Sequence, residues 1–217
     1  MGLPQDLPHR YRRLFDEQLA EIDRGVVRLF ALVTEAVAGA TEALLSGDRA
    51  AGRAAADHDT VVDELEKHIE DLAQREMLRQ SPLASDMRYL LSVIRIVPEL
   101  ERSGDLAEHI ANRAVTGLAD RLPPSVRGKL QEMGTICVDI WRTAADAWSD
   151  RDPDAAERID LKDDDLDALH DDLVAELCSG ELVLADALQT TLVARFYERL
   201  GDHAVHITER IGYLAGV

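Results

Sequence analysis

The chain has 217 residues, of which 4% are aromatic and 30% are charged, and its formal net charge is −18. This mixture of aliphatic and charged residues favours packed helices over a β-rich fold. The acidic charge argues against a nucleic-acid partner, because no basic stripe is present that could release counterions. No apolar run approaches the ~20 residues that span a bilayer, and residues 1–15 lack the apolar segment of a secretory signal. We therefore expect a cytoplasmic protein without a transmembrane segment.

Apolar residues recur at helical spacing along almost the whole chain, which predicts six helices. Asp48 is a candidate N-cap, Pro123-Pro124 breaks the chain near its middle, and Asp152-Pro153 is a candidate N-cap followed by proline at the first helical position. The predicted helices cover about residues 12–45, 48–79, 81 or 85 to 118, 124–149, 153–178 and 181–214.

Two acidic elements occur once in each half of the chain, in the same order. The motif Glu-Arg-x-Gly-Asp stands late in the third helix at 101–105 and again late in the sixth at 198–202, 97 residues apart. Earlier in each half, two aspartates stand four residues apart, at 59 and 63 and at 163 and 167. This duplication predicts a tandem repeat of three-helix units. We expect an all-α fold of two three-helix bundles, formed by residues 1–120 and 121–217.

The spacing of these acidic residues predicts metal sites. Residues four apart share one face of a helix, and two like charges there cost about 0.2–0.5 kcal/mol per pair, a repulsion that a multivalent cation removes. A histidine follows the last aspartate of each motif by four residues, and imidazole shifts the preference from Mg²⁺ towards iron, manganese, zinc or nickel. The candidate ligands are Asp59, Asp63, Glu101, Asp105 and His109 in the first half, and Asp163, Asp167, Glu198, Asp202 and His206 in the second.

The helical projection places these candidates on the flank or outer surface of each bundle, away from its core. Gly104 and Gly201, inside the two motifs, each cost about 1 kcal/mol relative to alanine in a helix, so we expect close helix packing at both. Three other interpretations stay open. The carboxylates could be a solvated face with ordinary pairs such as Asp63 with Lys67. The chain could be a metal-free adaptor for basic partners. It could also be a carboxylate-bridged di-metal enzyme or iron-storage bundle, although it has no Glu-x-x-His.

The two Glu-Arg-x-Gly-Asp segments, the Asp-x-x-x-Asp pairs and Ser-Asp-Met-Arg at 85–88 resemble the PhoU family of phosphate-signalling proteins, over nearly the whole chain. The resemblance implies two three-helix bundles related by pseudo-twofold symmetry, with metal ions held at paired E(D)xxxD motifs. It also implies a cytoplasmic negative regulator of phosphate-starvation signalling and phosphate uptake that catalyses no reaction. Its partners would be the ATPase subunit of the phosphate ABC transporter and a sensor histidine kinase. Because twofold dimers are the commonest oligomers, we also expect a homodimer. One departure is His109 and His206, where relatives often carry asparagine or another polar residue.

Overall fold

The computed structural model describes residues 7–56, 59–79, 82–180 and 182–215. Among these residues the structure contains helices and no strand, so the predicted all-α fold is confirmed. In chain order the helices are α1 (Leu7–Ser46), α2 (Arg49–Ala56), α3 (Asp59–Arg79), α4 (Ala84–Val115), α5 (Pro124–Asp150), α6 (Ala155–Leu177) and α7 (Leu184–Ala215), with one 3₁₀ turn (Ala119–Arg121) before α5. The single helix predicted for 48–79 corresponds to α2 and α3, and residues 57 and 58 between them lie outside the described residues.

An aspartate cap and a proline in the first turn explain where two of these helices begin. The carboxylate of Asp48 accepts hydrogen bonds from the backbone N–H groups of Ala50 and Ala51, at 2.8 and 3.0 Å, and these bonds lower the pKa of Asp48. The predicted cap of the second helix is therefore confirmed. Pro124 stands in the first turn of α5, where its missing N–H leaves no intrahelical bond unmade.

Several predicted helix boundaries are wrong. The helix α1 begins at Leu7, before the predicted start at about residue 12, and α7 begins at Leu184 instead of about residue 181. The third predicted helix was expected to reach residue 118, but α4 ends at Val115 because Gly117 has a positive φ of 67°, which terminates the helix. The fifth was expected to begin at Pro153, but α6 begins at Ala155. The carboxylate of Asp152 instead accepts the backbone N–H of Asp154 at 2.9 Å, which forms a turn before the helix.

The helices pack as two groups around one continuous core. In the first half α1 contacts α2, α3 and α4, and in the second half α5, α6 and α7 contact one another. The two halves meet where α1 lies against α5 and where α4 lies against α7. Trp141 and Trp148 of α5 are fully buried, and their ring centroids lie 6.3 and 6.4 Å from that of Phe30 in α1.

A close crossing joins α1 to the second half. A Cβ on Gly134 of α5 would stand 2.4 Å from the Cγ2 atom of Thr41, so only glycine allows the two helices to approach this closely. The Thr41 hydroxyl donates to the Val37 carbonyl at 2.8 Å and lies 2.8 Å from the hydroxyl of Tyr197 in α7. Because the Thr41 proton is already used, the Tyr197 hydroxyl is the donor between them. A buried hydrogen bond therefore ties α1 to α7.

Within the described part of the chain one helix, α1, could cross a membrane by length and composition alone, since Arg12–Ser46 reaches a mean hydropathy of 1.4. Core helices of water-soluble bundles pass the same test. Apolar side chains of α1, among them Ile22, Leu29 and Phe30, are fully buried against the other helices. The apolar face of α1 therefore belongs to the protein core, and the expected lack of a transmembrane segment stays a prediction.

Candidate metal centre

The first acidic cluster lies between α3 and α4. One carboxylate oxygen from each of Asp63, Glu101 and Asp105 falls within 4.8 Å of the others, and all three side chains are half-buried. The spacing of four residues places Glu101 and Asp105 on one face of α4, and the packing of α3 against α4 brings Asp63 to them. Lys67 lies beside this cluster, with its Nζ 3.5 Å from Asp63 Oδ2. The side chain of Asp59, the remaining predicted carboxylate, lies outside the described residues.

The second acidic cluster, formed by Asp163, Asp167, Glu198 and Asp202, lies between α6 and α7. Burial and the negative charges of Asp167, Asp202 and Glu198 raise the pKa of Asp163 to about 7. Burial and the charge of Asp202 likewise raise the pKa values of Asp167 and Glu198. These shifts mean that the four carboxylates are close enough to repel one another. Among the described residues, three ligand atoms within 4.8 Å of one another occur in the first cluster and not in the second.

Two carboxylate oxygens of the second cluster lack the partners that buried charges need. Asp163 Oδ1 and Glu198 Oε2 are both buried and accept no hydrogen bond from any described residue. The other oxygen of Glu198 is paired with Arg195. A buried carboxylate oxygen without a partner is costly, and ionised carboxylates only accept. Because these oxygens are buried, unpartnered and surrounded by further carboxylates, they fit a bound cation.

Gly201, inside the second motif, explains how Asp163 comes so close to α7. A Cβ at this position would stand 2.0 Å from Asp163 Oδ1 and 3.0 Å from Leu166 Cδ2. Any side chain would therefore displace the carboxylate of Asp163 from its present place. The close packing expected at Gly201 is confirmed, because only glycine leaves room there for the side chain of Asp163 from α6.

The structure places the two predicted histidine ligands away from the grouped carboxylates. The ring of His109 is exposed and packs against Phe196 of α7, with 5.3 Å between centroids, and it does not belong to the group formed by Asp63, Glu101 and Asp105. His206 is also exposed and lines a groove between α4 and α7, together with Glu99 and Arg210. Side chains four residues apart point in directions that differ by about 40° around the helix axis. This difference places each histidine nearer the α4–α7 contact than the aspartate four residues before it.

Two residues near the clusters were not among the predicted ligands. His170 lies close enough to the second cluster for a positive charge on its ring to oppose the rise in the pKa values of Asp167 and Glu198, and its own side chain is half-buried. Glu66, at the corresponding place in the first repeat, has a pKa raised by burial and by neighbouring carboxylates that include Asp63. The only sequence feature that could have identified these two residues is that they occupy equivalent positions in the two repeats. From sequence alone, His170 is expected to be a surface or structural residue.

A third polar group joins the two halves beside the clusters. The Nδ1 atom of buried His203 lies 3.0 Å from Ser103 Oγ, and its Nε2 atom lies 3.7 Å from Glu99 Oε2. Ser103 donates its proton to the Glu99 carbonyl oxygen at 2.7 Å, so His203 must donate to Ser103 through Nδ1–H. Although the trio resembles a catalytic triad, Ser103 is fully buried and its proton is committed to the backbone. The trio is a structural link between α4 and α7.

Comparison with known proteins identifies the family. The profile of the PhoU domain matches residues 26–114 and 130–211, one match in each half of the chain. The chain belongs to the PhoU family. A PhoU homolog of Mycobacterium tuberculosis, named "Phosphate-specific transport system accessory protein PhoU homolog 2", is 34% identical over 208 residues, which are 94% of this chain and 97% of that protein. A PhoU homolog of Rhizobium meliloti is 30% identical over 205 residues, covering 93% of this chain and 86% of the relative.

Solved PhoU structures share this architecture. The crystal structure of PhoU from Pseudomonas aeruginosa superposes with a TM-score of 0.88 at 26% identity, and the match covers 93% of this chain and 99% of that one. A structure from Streptococcus pneumoniae, titled as the phosphate transport system regulatory protein PhoU, superposes with a TM-score of 0.82 at 24% identity, over 93% and 96% of the two chains. The all-α fold is therefore that of the PhoU family, and both acidic clusters lie within the PhoU domain matches.

Proposed function

We propose that this PhoU-family chain is a cytoplasmic negative regulator of phosphate-starvation signalling and of phosphate uptake. The observation that carries the proposal is the match to the PhoU domain in both halves, together with relatives named as accessory proteins of the phosphate-specific transport system. The protein would link the ATPase subunit of the phosphate ABC transporter to a sensor histidine kinase, and it would act as a homodimer. It would bind these partners with a preference for their phosphate-replete states and so shift their populations without catalysing a reaction.

The two acidic clusters would hold the metal ions. Asp63, Glu101 and Asp105 would bind a cation between α3 and α4, with Asp59 as the predicted fourth carboxylate. Asp163, Asp167, Glu198 and Asp202 would bind one between α6 and α7. A bound cation removes the repulsion among carboxylates and satisfies the unpartnered oxygens of Asp163 and Glu198.

The oxygen ligands of the described clusters suit manganese or magnesium, with iron next. Zinc and nickel, favoured when His109 and His206 are counted as ligands, would need one of those rings to turn towards a cluster. The ligand role of both histidines stays a prediction.

The regulatory proposal is tested by deleting the gene in its host. With phosphate in excess, a reporter of the phosphate-starvation response should become active in the deletion strain and fall silent again when the wild-type gene is restored. A strain that keeps the reporter repressed without the gene would contradict the assignment to this pathway. Deletion of the transporter ATPase in the same background then tells whether the effect requires that partner.

The metal proposal has its own test in elemental analysis of protein purified without chelator. Wild type should contain about one to two ions per cluster, and Asp105→Ala combined with Asp202→Ala should remove most of them. Asp71→Ala combined with Asp165→Ala is the matched control, since it removes two exposed aspartates of α3 and α6 and should keep the metal. Equal metal content in both double variants would refute the clusters as the sites. Many iron ions per chain would support the iron-storage alternative.

A further inference from the structure

The exposed charges of three neighbouring helices are separated by sign. In α6 every exposed Asp, Glu, Lys or Arg residue except Arg158 is acidic: Glu157, Asp160, Asp164, Asp165, Asp167, Asp171 and Asp172. In α4 and α7 every such residue except Glu209 is arginine: Arg88, Arg95, Arg102, Arg195, Arg199 and Arg210. The helix α6 packs against α7, and α7 packs against α4. An acidic helix therefore lies beside a basic pair of helices, in a chain whose net charge is −18.

Part of the acidic set forms one row along the outer side of α6. We call this row the acidic stripe, and its members are Glu157, Asp160, Asp164 and Asp171. Their separations of three, four and seven residues place them on one side of the helix, opposite buried side chains such as Leu166. Beyond Asp171 the same side of α6 continues with Ala175 and Cys178, which are also exposed. This side of α6 is therefore acidic at first and uncharged in its last turn.

The exposed side of α7 carries the complementary row. Leu184, Leu188 and Leu192 are 74%, 56% and 41% exposed, and they are four residues apart. Arg195 and Arg199 are exposed too and continue on the same side of the helix. We call these five residues the leucine–arginine stripe. Contiguous exposed apolar side chains mark a surface that contacts another molecule, so this row of leucines predicts a partner.

The two stripes match in height along the α6–α7 pair. The connection between α6 and α7 is short, so the two helices run antiparallel, and Asp163 of α6 lies against Gly201 of α7. Both helices rise about 1.5 Å per residue, so counting from this contact places Asp164 within about one residue of the height of Arg199. The acidic stripe therefore stands level with the two arginines of α7, and the uncharged end of α6 stands level with the leucines.

The first repeat lacks this pattern. Because the aspartate pairs of the two repeats align, Asp164 and Asp171 correspond to Thr60 and Lys67 of α3. In the last helix of each repeat, Leu192 corresponds to Arg95, 97 residues earlier. The repeat fold therefore does not require the two stripes, which belong to the second half alone.

We infer that a second copy of the chain binds this side of the second repeat, with the acidic stripe of each copy lying on the leucine–arginine stripe of the other. The inference rests on the homodimer proposed above and names its contact surface. A twofold axis parallel to α6 and α7 leaves heights unchanged, so Asp164 and Asp171 face the partner's Arg199 and Arg195. The same axis brings the uncharged end of α6 to the partner's leucines. Every contact then occurs twice, as in any isologous dimer.

The charges of the chain favour this occupant over other arrangements of two copies. Two chains of net charge −18 repel one another, but the Debye length of about 8 Å at physiological salt screens charges outside the contact. Within the contact the facing charges are opposite in sign, and the exposed leucines supply an apolar part. A dimer formed through two α4–α7 surfaces would instead place arginines against arginines. The acidic stripe is therefore the surface of a second copy that fits.

Charge exchange at one facing pair tests the contact. The assay is sedimentation velocity of the full chain in chelator at about 0.15 M salt, over a series of protein concentrations. Wild type should dimerise, and Arg199→Glu alone or Asp164→Lys alone should each raise the Kd of the dimer at least about tenfold, because each creates two pairs of like charge. An equimolar mixture of the two variants should recover a Kd within about threefold of wild type. In the mixed dimer the two reversed charges face each other, and so do the two unreversed ones.

Two controls and three contrary outcomes make the test decisive. Arg28→Glu and Glu132→Lys reverse exposed charges of α1 and α5 and should leave the Kd unchanged, and circular dichroism checks that every variant is folded. A wild-type dimer that neither stripe variant weakens, or a mixture that associates no better than either variant alone, would overturn the contact and leave the homodimer standing. A wild type that stays monomeric would overturn both, whereas the regulatory role is tested separately by gene deletion. Monomeric protein that binds phosphatidylserine vesicles through Arg199 would assign the basic surface to a membrane and overturn the inference.

Discussion

Replacing Gly201 by alanine tests the geometry of the second acidic cluster most directly. Alanine should stabilise an exposed helical position by about 1 kcal/mol relative to glycine. At Gly201 the added Cβ would stand 2.0 Å from Asp163 Oδ1 and 3.0 Å from Leu166 Cδ2. Overpacking of this kind costs about 1–3 kcal/mol, so we expect a net loss between zero and about 2 kcal/mol.

The control for this change lies in the same helix. At Gly212 of α7 no atom lies within 4 Å of the place that an added Cβ would occupy, so Gly212→Ala should show the full propensity gain of about 1 kcal/mol. Urea unfolding followed by circular dichroism in chelator would measure both variants. The difference between them should be about 1–3 kcal/mol. Equal stabilisation of the two variants would refute the close approach of Asp163 to α7.

The same pair of variants separates stability from metal binding. Rotation of the Asp163 side chain would relieve the clash with a Cβ at position 201, and it would withdraw one carboxylate from the second cluster. Gly201→Ala should therefore lose the metal of the second cluster while remaining folded, and Gly212→Ala should keep it. Elemental analysis of the two purified variants would measure this difference in metal content.

Two further outcomes follow from the buried polar groups. The folded-state pKa of Asp163, about 7, lies above its ordinary value of 3.8, so the folded apo-protein holds a proton that the unfolded chain has lost. The free energy of unfolding should therefore fall as pH rises from about 4 to 7. Urea titrations should show a smaller fall for Asp163→Asn. The same pH profile in wild type and variant would contradict the raised pKa of Asp163. At the α1–α7 contact, Tyr197→Phe removes a donor and should cost about 0.5–1.5 kcal/mol, whereas Thr41→Val leaves the Tyr197 hydroxyl unpartnered and should cost about 1–3 kcal/mol. Thermal or urea unfolding that ranks the two variants in the opposite order would contradict the assigned donor.

Much of the architecture could be predicted because it depends on local spacing. Apolar periodicity predicted the helices, and Asp48 and Pro124 marked two of their starts. The resemblance to the PhoU family implied that carboxylates of neighbouring helices would meet, and the structure brings Asp63 to Glu101 and Asp105. The helix and cap predictions, in contrast, need only the helical repeat and local capping chemistry.

The features that escaped prediction depend on distances between helices. Nothing local in Gly201 says which side chain of α6 it admits, and nothing in His109 says that Phe196, almost ninety positions later, will cover its ring. The end of α4 was misplaced because a glycine can continue a helix or adopt a positive φ, and Gly117 does the second.

The core that runs through both halves has a consequence for how such a chain can have evolved. Apolar residues of all six long helices belong to one buried cluster, and side chains from α5 and α7 complete the packing of α1 and α4. Once a duplicated unit shares its interior with its copy, neither half can be removed without opening the other to water. Selection can then let the copies diverge, as Phe196 and Glu99 have at equivalent positions of the two repeats, because the shared core no longer requires either half to stand alone.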